Sequence, residues 1–328
     1  METCSDLIND ALVWDNHGCM PLRPDDESFL PQLARYRESG FDVVSLNVAF
    51  DGLSWENCVP VLASFRSWIR RHGEELVLVD TVDDIQRAKE SQRLAVTFDI
   101  EGGCALNGNI NMVELYYDLG VRWMLLAYNM NNMLGGGCQD EDPGLSEFGK
   151  RVLAEMARVG MVICCSHTGH RTTMDVMEFS QGPVIFSHSN PLGVWNHPRN
   201  ISDDAIRACA KSDGVIGING INAFLGDNDI STETFVRHID YVVQLVGPRH
   251  VGISLDYVFD KSEGDGYVAA NPDIFPSEEG YVAGQVEIVP PEHLTEITAS
   301  LRNLGYSDND LRAVLGGNHL RVAQAVWK

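Results

Sequence analysis

The chain alternates between two hydrophobic patterns. Short continuous apolar runs, the mark of parallel strands buried on both faces, recur eight times: ALVWDNH (11–17), FDVVSLNV (41–48), LAVTFDIE (94–101), RWMLLAY (122–128), MVICCSH (161–167), PVIFSH (183–188), GVIGING (214–220) and HVGISLD (250–256). Between them lie segments of helical period, among them SWENCVPVLASFRSWIRRHG, SEFGKRVLAEMARVG and STETFVRHIDYVVQLVG, which open on a serine that can cap and close on glycine. Eight such repeats without a break in composition predict one α/β unit over residues 1–328, a (β/α)8 TIM barrel, with a doubly wound sheet as the competing arrangement. The stretch 258–291, rich in Gly, Pro and acids, predicts a loop insertion over the barrel mouth, and residues 292–328 predict C-terminal helices packed on the barrel.

Composition narrows the class. Hydrophobic residues make up 44% and charged residues 22% of the 328, which suits a folded protein with a sizeable core. A formal net charge of −23 repels phosphate backbones and anionic lipid heads, so nucleic acid and membrane surfaces are excluded as partners. The opening METCSDLINDAL has no basic residue and no apolar core of signal-peptide length, and no stretch is long and apolar enough to span a bilayer. A cytoplasmic protein is expected. The eight cysteines sit at irregular positions without a CxxC pair and read as reduced thiols rather than a disulfide framework or zinc knuckle.

The strand ends carry the chemistry. In a barrel of this type, residues at the C-terminal ends of the strands face one pocket. Here those ends hold His17 with Cys19 just beyond, Glu101, Tyr128, His167, His188 and Asp256. A lone strand-end histidine is most simply a hydrogen-bonded core or rim group. Three such ends among only ten histidines in the chain are hard to ascribe to even scatter. Neutral imidazoles with a carboxylate are the usual ligands of zinc and similar ions, and a glutamate can bridge two of them. Glu101, in DIEGG, fits the bridge, and Asp256 fits the base that takes a proton from an activated water. His170 and His197, a few residues past their strands, read as surface or loop histidines.

These residues sit in longer blocks: WDNHGCMPL, DIEGG, YNMNN, GLSEFGKRVLAEMARVGMVICCSH, GPVIFSHSNPLGVWNHPRNISDD, VGISLD and LGGNHLRV. Through them nearly the whole chain resembles the membrane (renal) dipeptidases, metal-dependent barrels of the amidohydrolase type. The resemblance implies hydrolysis of small dipeptides, including ones with a D-residue at the C-terminal position, by hydroxide activated on one or two zinc ions, and it implies a homodimer as a common assembly. By position, His17, Glu101, His167 and His188 match metal ligands, Asp256 the proton-transferring acid, and Arg199 the arginine that holds the substrate carboxylate, with Tyr128 and Asn200 as further substrate-binding candidates. Two positions depart from the family. Its His-x-Asp ligand motif is His17-Gly18-Cys19 here, so that a thiol stands where a carboxylate would bind the second ion, and its substrate-binding histidine after the fourth strand is Tyr128. These departures keep open a divergent member acting on another small amide or N-substituted amino acid, or a metal-binding protein without dipeptidase activity.

Overall fold

The computed structural model describes residues 3–328; Met1 and Glu2, included in the predicted unit, lie outside the described residues. Ten strands form the sheet: β1 (Trp14–Cys19), β2 (Val43–Phe50), β3 (Leu76–Leu78), β4 (Leu94–Glu101), β5 (Val121–Leu125), β6 (Val162–Cys164), β7 (Val184–Ile185), β8 (Ile216–Ile218), β9 (Val251–Ile253) and β10 (Tyr257–Val258). All the ladders are parallel, in the order β7-β6-β5-β4-β2-β1-β9-β8, and a parallel bridge between Phe186 and Ile216 joins the two ends. This is the expected (β/α)8 barrel, and its eight staves are the eight predicted strands.

Alternation along the staves explains what each face does. On β2 and β4, Val44, Leu46, Val96, Phe98 and Ile100 pack outward with helix residues such as Val61, Leu62 and Phe65 in the main core. The opposite face presents Ser45, Asn47, Thr97, Asp99 and Glu101, paired in register as Ser45 with Thr97 and Asn47 with Asp99. A polar barrel interior is costly unless its groups bond one another; Ser45 and Asn47 bond Asp99, and Asn47 also reaches Glu101. On β1 the register shifts between Asp15 and Gly18, an irregularity of the kind that re-aims side chains beside active sites.

Serine caps open several of the helices, but Ser54, expected to cap the segment after β2, makes no capping bond, and helix Cys58–Arg71 begins four residues later. Ser146, Ser202 and Ser231 accept hydrogen bonds from the backbone N–H groups of Gly149, Ala205 and Thr234 at the starts of helices Glu147–Val159, Asp203–Lys211 and Thr232–Val246. No helix among the described residues is long and apolar enough to cross a membrane, and the eight cysteines are free thiols.

Two strands lie outside the predicted eight. β3 pairs only with the N-terminal half of β4, below β5, and β10 extends the β9 side of the sheet against the end of β1. The stretch 258–291 is more ordered than its composition implied. It carries helix Lys261–Ala270, opened by Asp260, whose carboxylate accepts from Ser262 N and Glu263 N. After it come helices Leu294–Asn303, Asp308–Arg312 and Asn318–Val326.

Candidate metal centre

Most of the site lies just past the ladder. Tyr128, His167, His188 and Asp256 each fall three residues beyond the last paired residue of β5, β6, β7 and β9. His167 and Asp256 adopt positive φ (61° and 57°), as does Asn129 (59°), a conformation that strains non-glycine residues. Backbone leaving the sheet in this way turns side chains back over the barrel axis. Glu101 closes β4, and the chain then turns at Gly102 (φ 119°), where a Cβ would lie 2.1 Å from the Asp51 carboxyl group.

Seven of the predicted residues converge. Glu101 Oε1 lies 3.5 Å from His17 Nε2, 3.4 Å from His167 Nε2 and 3.1 Å from His188 Nε2. Asp256 Oδ1 is 3.4 Å from His17 Nε2, and the Cys19 thiol donates to it at 3.2 Å. His17, Glu101 and His188 form one group of donors close enough to share an ion, and His17, Cys19 and Asp256 form another. Tyr128 stacks on His167 with ring centroids 4.0 Å apart.

The other two candidates stand back from the opening. Arg199 and Asn200 are buried and are not among the residues that line the cavity over this cluster. The Arg199 guanidinium donates to His188 O at 2.7 Å and Ser189 Oγ at 3.0 Å, while its Nε has no hydrogen-bond partner among the described residues. The Asn200 amide donates to Trp195 O and to Phe224 O at 2.9 and 3.0 Å. His197, expected at the surface, is buried. It accepts from Arg199 N through Nδ1 and donates to Glu279 O through Nε2, and so locks the Arg199 loop to the 258–291 segment.

Several residues that sequence reasoning passed over hold the ligands in place. Asp99 Oδ1 faces His17 Nδ1 at 3.2 Å and is itself fixed by Ser45 Oγ, which donates to Oδ2 at 2.6 Å. Asn129 Oδ1 meets His167 Nδ1 at 2.6 Å, and Asn219 Nδ2 donates to Asp256 Oδ2 at 2.8 Å. Asp15 accepts from Tyr36 Oη and from the N–H groups of Leu255 and His17. A signal existed for two of them: Asp99 precedes Glu101 by two, and Asp15 precedes His17 by two, the spacing of one strand face.

The electrostatics separate the histidines. Burial, reinforced by the charge of Arg199, holds the pKa of His167 well below the usual imidazole value; burial with the charges of His17 and Arg199 does the same for His188. Burial would also lower His17, but the carboxylates of Asp99 and Glu101 overcome it and hold its pKa well above the ordinary range. Glu101 is pushed up to about 8 by burial, with Asp256 and Asp99 adding to the effect against His17. Burial and the Asp256 charge raise the Cys19 thiol far above its normal value, and burial with Glu101 does the same for Tyr128.

This set fits a divalent cation. Asn129 donates through Nδ2 to Ile274 O, which leaves its Oδ1 to accept the His167 Nδ1 proton. The His167 Nε2 lone pair then points at His188 Nε2, 2.9 Å away. Beside them Glu101 Oε1 is buried and has no hydrogen-bond partner among the described residues. A cation among these atoms would satisfy the His167 lone pair and the unpartnered Glu101 oxygen together.

Comparison with known proteins agrees with this geometry. The sequence model of the membrane dipeptidase family, peptidase family M19, matches residues 40–268. The chain belongs to this family. Membership places it among the dipeptidases, hydrolases acting on peptide bonds. It is 31% identical to an uncharacterized protein in the pqqA 5′ region of Klebsiella pneumoniae, over 81% of this chain and 95% of that protein. It is 29% identical to dipeptidase aclJ of Aspergillus oryzae over 70% of this chain, but spans only 51% of that longer protein, as it spans about half of two uncharacterized dipeptidases of Schizosaccharomyces pombe. The crystal structure of an amidohydrolase from Pseudomonas aeruginosa matches with a TM-score of 0.87 and 27% identity, over 99% of both chains.

Proposed function

We propose that the protein is a zinc-dependent dipeptidase whose substrates include L,D-dipeptides. The observation that carries this reading is the convergence of three histidine Nε2 atoms on the buried, unpartnered Oε1 of Glu101. His17, Glu101, His167 and His188 would hold the ion, with Cys19 the candidate donor for a second; three imidazoles and a carboxylate favour zinc over the hard cations that prefer all-oxygen sites. Bound there, zinc supplies a Lewis acid for the scissile carbonyl and water of lowered pKa.

The chain supplies the rest. Asp256 Oδ1 faces the cluster while Asn219 holds Oδ2, so this carboxylate is aimed to accept a proton from the attacking water and return it to the leaving amine. Tyr128, kept protonated and stacked on His167, would donate to the developing oxyanion. Arg199, matched by position to the arginine that holds the substrate carboxylate, lies behind His188 and outside the cavity lining, so in that role its buried Nε would need His188 to move aside. Asn200 acts at one remove by holding Phe224, a wall of the cavity. Free thiols and a strongly acidic surface support a cytoplasmic setting.

The test is metal content per chain together with turnover of L,L and L,D dipeptides by zinc-loaded protein. Bound zinc with turnover of at least one series is expected. Bound zinc without any turnover would remove the dipeptidase reading and favour another small amide, the reading that the Cys19 thiol on Asp256 also supports.

A further inference from the structure

The wall above the ligand floor carries a packed cluster of aromatic rings, the collar. Phe50 stands 5.2 Å from Tyr128 and 5.0 Å from Tyr267, and Phe275 stands 6.2 Å from Tyr128 and 5.8 Å from Tyr267. The four contacts are tilted or edge-on, as aromatic pairs prefer. Phe50 and Tyr128 come from the barrel, Tyr267 and Phe275 from the 258–291 segment. A hydrogen bond from Tyr267 Oη to Gly52 O, at 2.7 Å, fastens the two halves together. Tyr281 prolongs the collar, 5.3 Å from Phe275 and 5.7 Å from Phe224. The adjoining cavity measures about 220 Å³, and Glu101, His167 and Asp256 are among the residues that line it.

The cations beside this cavity are already paired. Lys261 is the one lysine or arginine among the described residues that line it, and Glu287 already pairs with that lysine at 2.8 Å. Asp260, Glu263 and Asp265 line the same cavity, and the first two hold Arg23 at 3.2 and 3.1 Å. An acidic side chain entering the collar would lose its water and meet more acids, with no free cation to receive it. A large apolar side chain would trade water for ring faces and edges.

We propose that the collar selects dipeptides bearing a large apolar side chain, aromatic or branched aliphatic, and discriminates against small and acidic ones. The inference rests on the dipeptidase reading of the site beneath it. It assigns Phe50, Tyr267 and Phe275 as residues that set specificity through the 258–291 cap.

The experiment measures kcat/KM on the full-length, zinc-loaded chain for Leu-Phe, Phe-Ala, Ala-Ala and Asp-Ala, with Kd for the same compounds by calorimetry. The best apolar substrate should exceed Ala-Ala by roughly 10- to 100-fold, the range set by burying one such side chain, and Asp-Ala should fall below Ala-Ala. In Phe275→Ala that preference should shrink to within about threefold, and Phe275→Leu should keep part of it; circular dichroism and zinc content establish that both variants are folded. Ala-Ala or Asp-Ala turned over as well as the apolar compounds would overturn the proposal, as would a preference that survives Phe275→Ala. If no dipeptide is turned over at all, the dipeptidase reading fails by itself and the calorimetric ranking decides: tighter binding of the apolar compounds sustains the collar's role, and equal or undetectable binding refutes it.

Discussion

Asp99 touches no cavity, yet its replacement should loosen the metal centre. The residue is fully buried, with Oδ1 at 3.2 Å from His17 Nδ1 and Oδ2 receiving Ser45 Oγ at 2.6 Å. A carboxylate in this position fixes the ring, places the proton on Nδ1 and makes Nε2 a better donor to an ion. Asp99→Asn keeps the shape. Its amide oxygen can still accept from His17 and its nitrogen can meet Ser45 Oγ, so only the charge-assisted part of these bonds is lost, about 1–2 kcal/mol. That corresponds to a roughly 5- to 30-fold loss of zinc affinity, within the range of such outer partners in metal sites. Asp99→Ala goes further, because it removes the carboxylate that faces the buried Nδ1 and leaves Ser45 Oγ without its acceptor; about 1–3 kcal/mol of folding stability should go with it. Zinc titrated calorimetrically into metal-free protein against a competing chelator reads the first effect, and urea denaturation the second. An Asn variant that binds zinc as tightly as the native chain, or an Ala variant no worse than Asn in both assays, would show that His17 does not depend on Asp99 for its orientation.

Three further outcomes follow from other parts of the molecule. Burial holds the pKa values of His238 and His319 down at about 4 in the folded chain, against the opposing hydrogen bonds to Leu225 O and Ile253 O. The unfolded chain therefore takes up protons first as pH falls: their contribution is complete above the free imidazole value near 6.5 and is lost from there toward 4, about 2 kcal/mol for each between pH 7 and 5. Urea denaturation at the two pH values should show this drop shrinking in His238→Asn and His319→Gln, and a drop unchanged in the double variant would rule these residues out. Gly217→Ala should part the seam that closes the barrel, since its Cβ would sit 2.2 Å from Ser187 O, a backbone atom that cannot swing away. A loss of about 3 kcal/mol, the upper end for overpacking, is expected in chemical denaturation, and a loss below about 1 kcal/mol would mean the seam adapts. Cys19→Asp places a third carboxylate beside Asp256 and Glu101, so it should lower the melting temperature of metal-free protein and raise that of zinc-loaded protein; calorimetric scans showing both forms shifted the same way would refute the placement of an ion there.

Much of this architecture was legible in the linear pattern, because what it needed is local. Apolar runs of strand length and helical segments with serine caps and terminal glycines specify their elements from neighbours a few residues away, and eight alternations leave a parallel barrel as the compact solution. That His17, Glu101, His167, His188 and Asp256 share one rim follows from this topology alone. What the closed tertiary structure decided was pairing. Whether Asp99 faces His17, Asn129 faces His167 or Asn219 faces Asp256 depends on strands brought together from far apart in sequence, and their hydrogen bonds exist only once the barrel shuts. The left-handed backbone at His167 and Asp256 is disfavoured locally and persists because those partners hold it. Arg199 packs behind His188, and the 258–291 segment, polar enough to read as a plain loop, folds into a helix and a ring of aromatics because the barrel mouth offers Phe50 and Tyr128 as a surface to cover. Local propensity writes the strands and helices; burial and hydrogen bonding across the closed barrel select which polar residues become a site.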